Sequence, residues 1–249
     1  MFRTRFKKEI VAEFLPPARS SKQQKMIILC DGMPSMPRKQ PLVEFLSGKG
    51  YWAFYPRWRG AWESGGQFLE RSPHEDILYC WRIASRISGA CVWPKVLLFA
   101  RKDLRYRRKF RRRGSYSFIS GPADHKSDCQ LPSCGLGHLR KEQKKETSNP
   151  SYPAYIRAAF GNGYRLSAEN WNKLRGGVFY NPAHHLKELT PSKILMFHAK
   201  DDPYIPWKVV DNFARRAGIT LKLLSRGGHL KTEYVVRKYS PAIKNFLDS

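Results

Sequence analysis

The feature that most constrains the fold is an alternation. Five short apolar runs, KMIILC (25–30), YWAFYP (51–56), KVLLFA (95–100), KILMFHA (193–199) and TLKLLS (220–225), are separated by stretches of helical spacing. The runs are too short for helices and too continuously apolar for strands with one wet face. They suit strands buried on both faces of a parallel sheet. Between them, KQPLVEFLSGKG puts Leu42, Phe45 and Leu46 on one helical face and stops at Gly48. HEDILYCWRIASRIS opens with acidic residues and spaces Ile77, Cys80, Trp81 and Ala84 at i, i+3, i+4 and i+7. WKVVDNFARRAG ends on a glycine, with two arginines in its last turn, where they suit the helix dipole. YPAYIRAAFGNGYRLSAENW reads as helical, and EYVVRKYSPAIKNFL as a closing helix interrupted by proline. Such alternation predicts an α/β fold, a mostly parallel sheet with helices on both faces. The 249 residues are enough for one domain of this kind, spanning 1–249, and no internal repeat divides them.

Between residues 101 and 147 the pattern fails. This stretch opens with RYRRKFRRRG (105–114) and holds 14 Lys/Arg against 5 Asp/Glu, net +9, in a chain whose formal charge is +26. A basic balance suits nucleic acid, anionic lipid or an acidic substrate, and equally a basic proteome; charge alone does not separate these. Tyr106 and Phe110 interleave the run, but no recognised nucleic-acid fold surrounds it. A non-catalytic role in binding polyanions through residues 101–113 is the alternative function, with no specific nucleic acid as partner. His125, Cys129, Cys134 and His138 form a His-x3-Cys-x4-Cys-x3-His set that zinc could use. Its spacing is loose, and neither a metal nor a cofactor is expected.

The five cysteines are odd in number and sit mostly in apolar surroundings, which argues against a disulfide framework and suits a reducing compartment. The basic N-terminus MFRTRFKKEI is not followed by a long apolar run, and no stretch reaches the ~18–20 apolar residues of a membrane span. A soluble cytoplasmic protein is the expectation, without a membrane partner and with its oligomeric state left open.

Three strand ends carry the chemistry. MIILCDGMPSMP is a buried strand running into the turn Asp31-Gly32-Met33-Pro34. Ligand sites in open α/β sheets form at the carboxyl ends of strands, and backbone N–H groups of such a turn can hold an oxyanion. Taken alone, the motif is better explained by a tight turn that needs glycine for its own sake. ILMFHAKDDPYIP ends a strand in His198 and places Asp201 and Asp202 on the following loop. That loop suits a carboxylate that orients a histidine, or one that caps the helix starting near Trp207. TLKLLSRGGHL then gives a strand, a Gly-Gly turn and His229. An acid after one strand and a histidine after the next is the tail of a Ser…Asp…His order.

With these pieces in place, the chain resembles an α/β-hydrolase, closest to the prolyl-oligopeptidase-like branch of serine peptidases and esterases. ILCDGMPSMP matches the oxyanion loop, GYWAFYPRWRGAWESGG the next strand and its Arg-Gly turn, HAKDDPYIP the acid and GGHL the base. Asp202 aligns with the family's Asp-x-x-[Ile/Val]-Pro. The resemblance covers roughly residues 8–100 and 150–247. It implies a hydrolase acting on a small ester or peptide by acyl transfer, with Asp202 and His229 as acid and base. It also implies Gly32 and Met33 as the oxyanion turn.

The family's nucleophile sits in Gly-x-Ser-x-Gly, on a strained strand-to-helix turn. No such pentapeptide occurs here. It belongs just after KVLLFA, where Lys109 and Phe110 stand instead; Ser115, Ser117 and Ser120 lie near but lack the flanking glycines. Arg codons carry G in the middle, so an arginine run read one nucleotide over becomes glycine-rich. In that frame Arg105–Arg113 permits Gly-Ile-Gly-Gly-Ser-Phe-Gly-Gly, with the serine across Lys109 and Phe110. Phe118–His125 permits Leu-Ser-Arg-Asp-Pro-Arg-Ile, and Leu131–Gly137 permits Ser-Pro-Val-Val-Asp-Trp. These are an elbow, a helix end and a next strand in family order. The expectation is that residues from about 101 to 145 are out of frame with an ancestral hydrolase, and that the chain is impaired.

Overall fold

The computed structural model describes residues 1–6, 9–19, 25–32, 35–88, 96–99, 118–121, 151–174, 179, 182–184, 186–203, 205–229 and 232–248. Its strands are β1 (Phe2–Phe6), β2 (Ile10–Leu15), β3 (Lys25–Asp31), β4 (Tyr51–Pro56), β5 (Val96–Phe99), β6 (Phe118–Gly121), β7 (Ile194–Ala199) and β8 (Thr220–Leu224). Its α-helices are α1 (Gln40–Gly48), α2 (Pro73–Ser88), α3 (Tyr152–Phe160), α4 (Ala168–Asn172), α5 (Trp207–Ala217), α6 (Thr232–Lys238) and α7 (Ser240–Asp248).

The two-residue period of a strand sorts the runs of β3, β4 and β7 into two cores. In β3, Met26, Ile28 and Cys30 enter one core while Ile27 and Leu29 enter the other. β7 divides the same way, with Ile194 and Met196 on one side and Leu195, Phe197 and Ala199 on the other. The first core is closed by α2 through Ile77, Cys80 and Ala84, and by α5 through Val210, Phe213, Ala214 and Ala217. The second is closed by α1 through Leu42, Val43 and Leu46, by α6 through Val235 and Val236, and by α7 through Ile243. Helices therefore cover both faces, and that is why the runs lack polar alternation.

One sheet has the order β1-β2-β4-β3-β6 and the other β5-β7-β8. β3 runs parallel to β4 and β6, and β7 runs parallel to β5 and β8. β1–β2 and β2–β4 are antiparallel, so the expected parallel sheet carries an antiparallel edge. The two sheets meet where β5 and β6 lie side by side.

Several elements differ from the sequence reading. The β1–β2 hairpin was not among the apolar runs, because Arg3, Arg5 and Glu13 alternate with its apolar residues on an edge that water reaches. KVLLFA forms β5 but pairs with β7; the parallel partner of β3 on that side is Phe118–Gly121, inside the stretch expected to be irregular. YPAYIRAAFGNGYRLSAENW is two helices. Gly161, at φ 54°, ends α3, and Ser167 starts α4 by accepting a hydrogen bond from the Asn170 amide at 3.1 Å. In α1 the buried face includes Val43, while Phe45 is half-buried beneath Lys49 and Arg237. No helix among the described residues is long and apolar enough to cross a membrane.

Candidate active site

The loop after β7 is built around two adjacent carboxylates with different tasks. Asp201 accepts hydrogen bonds from the amides of Gly228 at 2.8 Å and Gly227 at 3.2 Å, so it holds the turn after β8. These amides keep its carboxyl below the usual range. Asp202 accepts from the Ile205 amide through Oδ1 at 3.0 Å, and its Oδ2 lies 3.0 Å from His229 Nδ1. Asp202 does not cap the following helix: α5 begins at Trp207 after Pro206, and its N-terminus has no side-chain cap. Asp202 is buried and the His229 side chain is 13% exposed, so the imidazole sits at the boundary between protein and solvent.

Parallel β7 and β8 are what bring the two loops together. Their register pairs His198 with Leu223 and Ala199 with Leu224, so both chains leave the sheet at the same level. The Lys200 amide donates to the Leu224 carbonyl at 2.9 Å and continues the alignment past the strand ends.

At the end of β3, a set of tertiary bonds fixes Asp31. Asp31 is buried, accepts from the Tyr55 hydroxyl and pairs with Lys39 at 2.8 Å. The Trp58 indole N–H donates to the Asp31 carbonyl at 3.2 Å. Burial and the neighbouring Asp31 carboxylate push the Tyr55 hydroxyl well above its ordinary pKa, so it stays a donor. Gly32, the residue after β3, is buried. A few residues on, the Ser35 amide donates to the Tyr164 hydroxyl at 2.7 Å, and the Ser35 carbonyl accepts from Tyr164 at 3.1 Å and from the Trp62 indole at 2.9 Å.

Tyr164 and Trp62 come from two segments stitched to each other. Trp62 N donates to Gly163 O at 2.7 Å, Arg165 N to Gly60 O at 2.8 Å and Phe68 N to Arg165 O at 2.8 Å. The stitched turn requires Gly60, at φ +68°, where a Cβ would lie 2.0 Å from the Phe68 amide nitrogen. Trp62 itself is held at φ 49°, a strained value for a bulky residue.

Of the residues singled out in the sequence, the structure brings Asp202 and His229 together and places Gly32 at a strand end. Met33, Lys109, Phe110, Ser115 and Ser117 lie outside the described residues, as do His125, Cys129, Cys134 and His138. Ser120 falls within β6. Among the described residues no group of three or more His, Cys, Asp or Glu side chains could hold a metal ion. His198, Tyr55, Trp58, Lys39 and Tyr164 were missed as contributors. Tyr55, Trp58 and Tyr164 bond to positions 24, 27 and 129 residues away, while His198 and Lys39 bond within their own strand-end loops, to Ile205 and Asp31, where no motif marks them.

An esterase from Pyrococcus furiosus superposes with a TM-score of 0.60 at 12% identity, covering 99% of this chain and 89% of its own. An esterase from Exiguobacterium antarcticum gives 0.58 at 14% identity, covering 98% of this chain and 99% of its own. An α/β-superfamily hydrolase from Oenococcus oeni gives 0.54 at 11% identity, covering both chains fully. This chain has the α/β-hydrolase fold. Acylaminoacyl peptidase from Pyrococcus horikoshii shares the α/β-hydrolase fold too, with a TM-score of 0.52 at 15% identity, covering 98% of this chain and 40% of its own. No protein-family model matches the sequence, and no curated protein does.

Proposed function

We propose that the chain is a serine hydrolase of the α/β-hydrolase fold, of esterase or peptidase type, acting on a small ester or peptide in the cytoplasm. Asp202 and His229 are the acid and base of a Ser-Asp-His triad. The observation that carries this reading is the 3.0 Å contact between Asp202 Oδ2 and His229 Nδ1, made by loops that follow adjacent parallel strands. A carboxylate only accepts, so Nδ1 carries the hydrogen and the basic lone pair lies on Nε2. That atom takes the proton of an attacking serine and returns it to the leaving group, while Asp202 holds the ring and balances its charge. The Gly32–Met33 turn supplies backbone N–H groups to the oxyanion. The likeness to esterases and to an acylaminoacyl peptidase supports the class and the prolyl-oligopeptidase-like branch.

The serine is what this chain lacks. With Lys109 and Phe110 at its position, the chain is impaired and keeps only what binding and oxyanion donors supply. We attribute the loss to residues of about 101–145 being read one nucleotide out of frame. The codons test this first: if the adjacent frame does not give the elbow, the attribution fails. A fluorophosphonate probe tests the rest. This chain should take no label on serine, whereas the product of a frame-restored gene should be labelled and should lose the label with His229→Ala. Serine labelling of the present chain that depends on His229 would contradict the impairment. An unlabelled frame-restored protein would contradict the hydrolase reading. Salt-dependent polyanion affinity that vanishes on neutralising residues 105–113 would favour the basic-protein alternative instead.

A further inference from the structure

His198 plays no part in the acid–base reading, yet it is tied to Asp202 on two sides. It is fully buried in β7. Its Nε2 lies 3.0 Å from the carbonyl oxygen of Ile205. A carbonyl oxygen only accepts, so Nε2 carries the hydrogen and donates. The amide of the same residue, Ile205, donates to Asp202 Oδ1 at 3.0 Å. Ile205 is thus gripped through both backbone groups, by the histidine at its carbonyl and by the acid at its amide.

The other nitrogen of His198 completes the arrangement. Nδ1 lies 3.9 Å from Asp202 Oδ2, the oxygen that His229 Nδ1 reaches at 3.0 Å. Two imidazoles therefore face one carboxylate oxygen. With its hydrogen on Nε2, neutral His198 turns a lone pair toward that oxygen and cannot donate to it. Burial also works against the imidazolium, which would be a competing donor.

We infer that His198 is a positioning residue for the acid–base pair: its Nε2–H bond to Ile205 sets the Ile205 amide on Asp202 Oδ1 and reserves Asp202 Oδ2 for His229. The inference rests on Asp202 and His229 being the acid and base.

Nitrogen-15 NMR of the imidazole rings in the full chain, at a pH well above the histidine range, tests it. The expected spectrum shows His198 as the Nε2–H tautomer and His229 as the Nδ1–H tautomer. His198→Phe keeps a ring and removes the donor. In it, His229 should lose its Nδ1–H preference, and the Ile205 amide should exchange roughly tenfold faster, as expected for one lost buried hydrogen bond. His198→Gln sets an amide donor near the Nε2 position and should restore both.

Finding His198 as the Nδ1–H tautomer in the unaltered chain overturns the inference, whatever the variants do. So does a His198→Phe protein with both readouts unchanged, or a His198→Gln protein that behaves like His198→Phe. Asp202→Asn separates this inference from the function proposed above. If His229 keeps its tautomer in Asp202→Asn, the acid–base pairing itself falls. If Asp202→Asn removes the preference and His198→Phe does not, the positioning role falls alone.

Discussion

Asp76 should make this protein less stable as the solution passes from mildly acidic to neutral. It sits in the first turn of α2, where it accepts hydrogen bonds from the Arg59 amide at 3.0 Å and the Arg59 Nε at 3.2 Å. Its side chain is 6% exposed, and burial raises its pKa from 3.8 to about 6 although Arg59 pulls the other way. The folded chain thus keeps a proton that the unfolded chain gives up. Stability is full below 3.8 and is lost as pH rises through about 6. At about 1.4 kcal/mol per pH unit, the whole window is worth about 3 kcal/mol, of which about 2 kcal/mol falls between about pH 4 and about pH 7. Asp76→Asn removes the titration, so the useful quantity is the difference between the two proteins. Urea unfolding of both at matched pH should show the unaltered chain losing about 2 kcal/mol relative to Asp76→Asn across that span. A difference that stays level or grows with pH would refute the reasoning. It would mean that the Arg59 bonds outweigh burial and that Asp76 is an ordinary paired carboxylate.

Gly60→Ala places a methyl group 2.0 Å from the Phe68 amide nitrogen at φ +68°, so the backbone must move; a loss of about 4 kcal/mol or more is expected, and an unchanged Tm would contradict it. Phe197→Ala empties a fully buried site next to Tyr239, whose ring centroid is 5.3 Å away, and should cost about 3–5 kcal/mol by denaturant unfolding. Asp201→Ala should speed amide exchange at Gly227 and Gly228 while sparing Ile205, because those two amides are the bonds Asp201 accepts. Lowering the pH below the usual carboxylate range should reduce the protection of the same two amides in the unaltered chain, since they hold that carboxyl below its usual pKa.

Strands β3, β4 and β7 were legible because a strand covered on both faces has few polar positions to confuse the pattern; β8, whose Thr220 and Lys222 are exposed, was legible from its leucines alone. Residues 25–31, 51–56, 194–199 and 220–224 fold where their apolar runs stand. The edge hairpin was not legible, since alternating arginine and phenylalanine in FRTRF reads as a basic terminus until a partner strand is found. Asp202 and His229 could be read from their positions after strand ends, a local signal. His198 was visible only as a histidine near the end of an apolar strand, and its bond to the Ile205 carbonyl left no mark in the sequence. Tyr164 lies 129 residues from Ser35 and Trp58 lies 27 from Asp31, so nothing near either residue announces the contact. Strand β6, which pairs with β3, escaped for another reason: FISG is only four residues long and stands within the basic stretch where the pattern fails.

The aspartate–histidine contact has a consequence for how the chain assembles. Asp202 and His229 are joined by a single crossover, β7 through α5 to β8, and are 27 positions apart. Closing so short a span carries little entropic cost compared with pairing across the whole chain. Residues 101–147 do not lie on the path between them. In the frame change proposed above, the group that attacks the carbonyl is lost while the stretch of chain that brings His229 to Asp202 is left as it is. Restoring the proposed frame would leave this crossover unchanged, because the Asp202–His229 contact is specified by its own local stretch of chain.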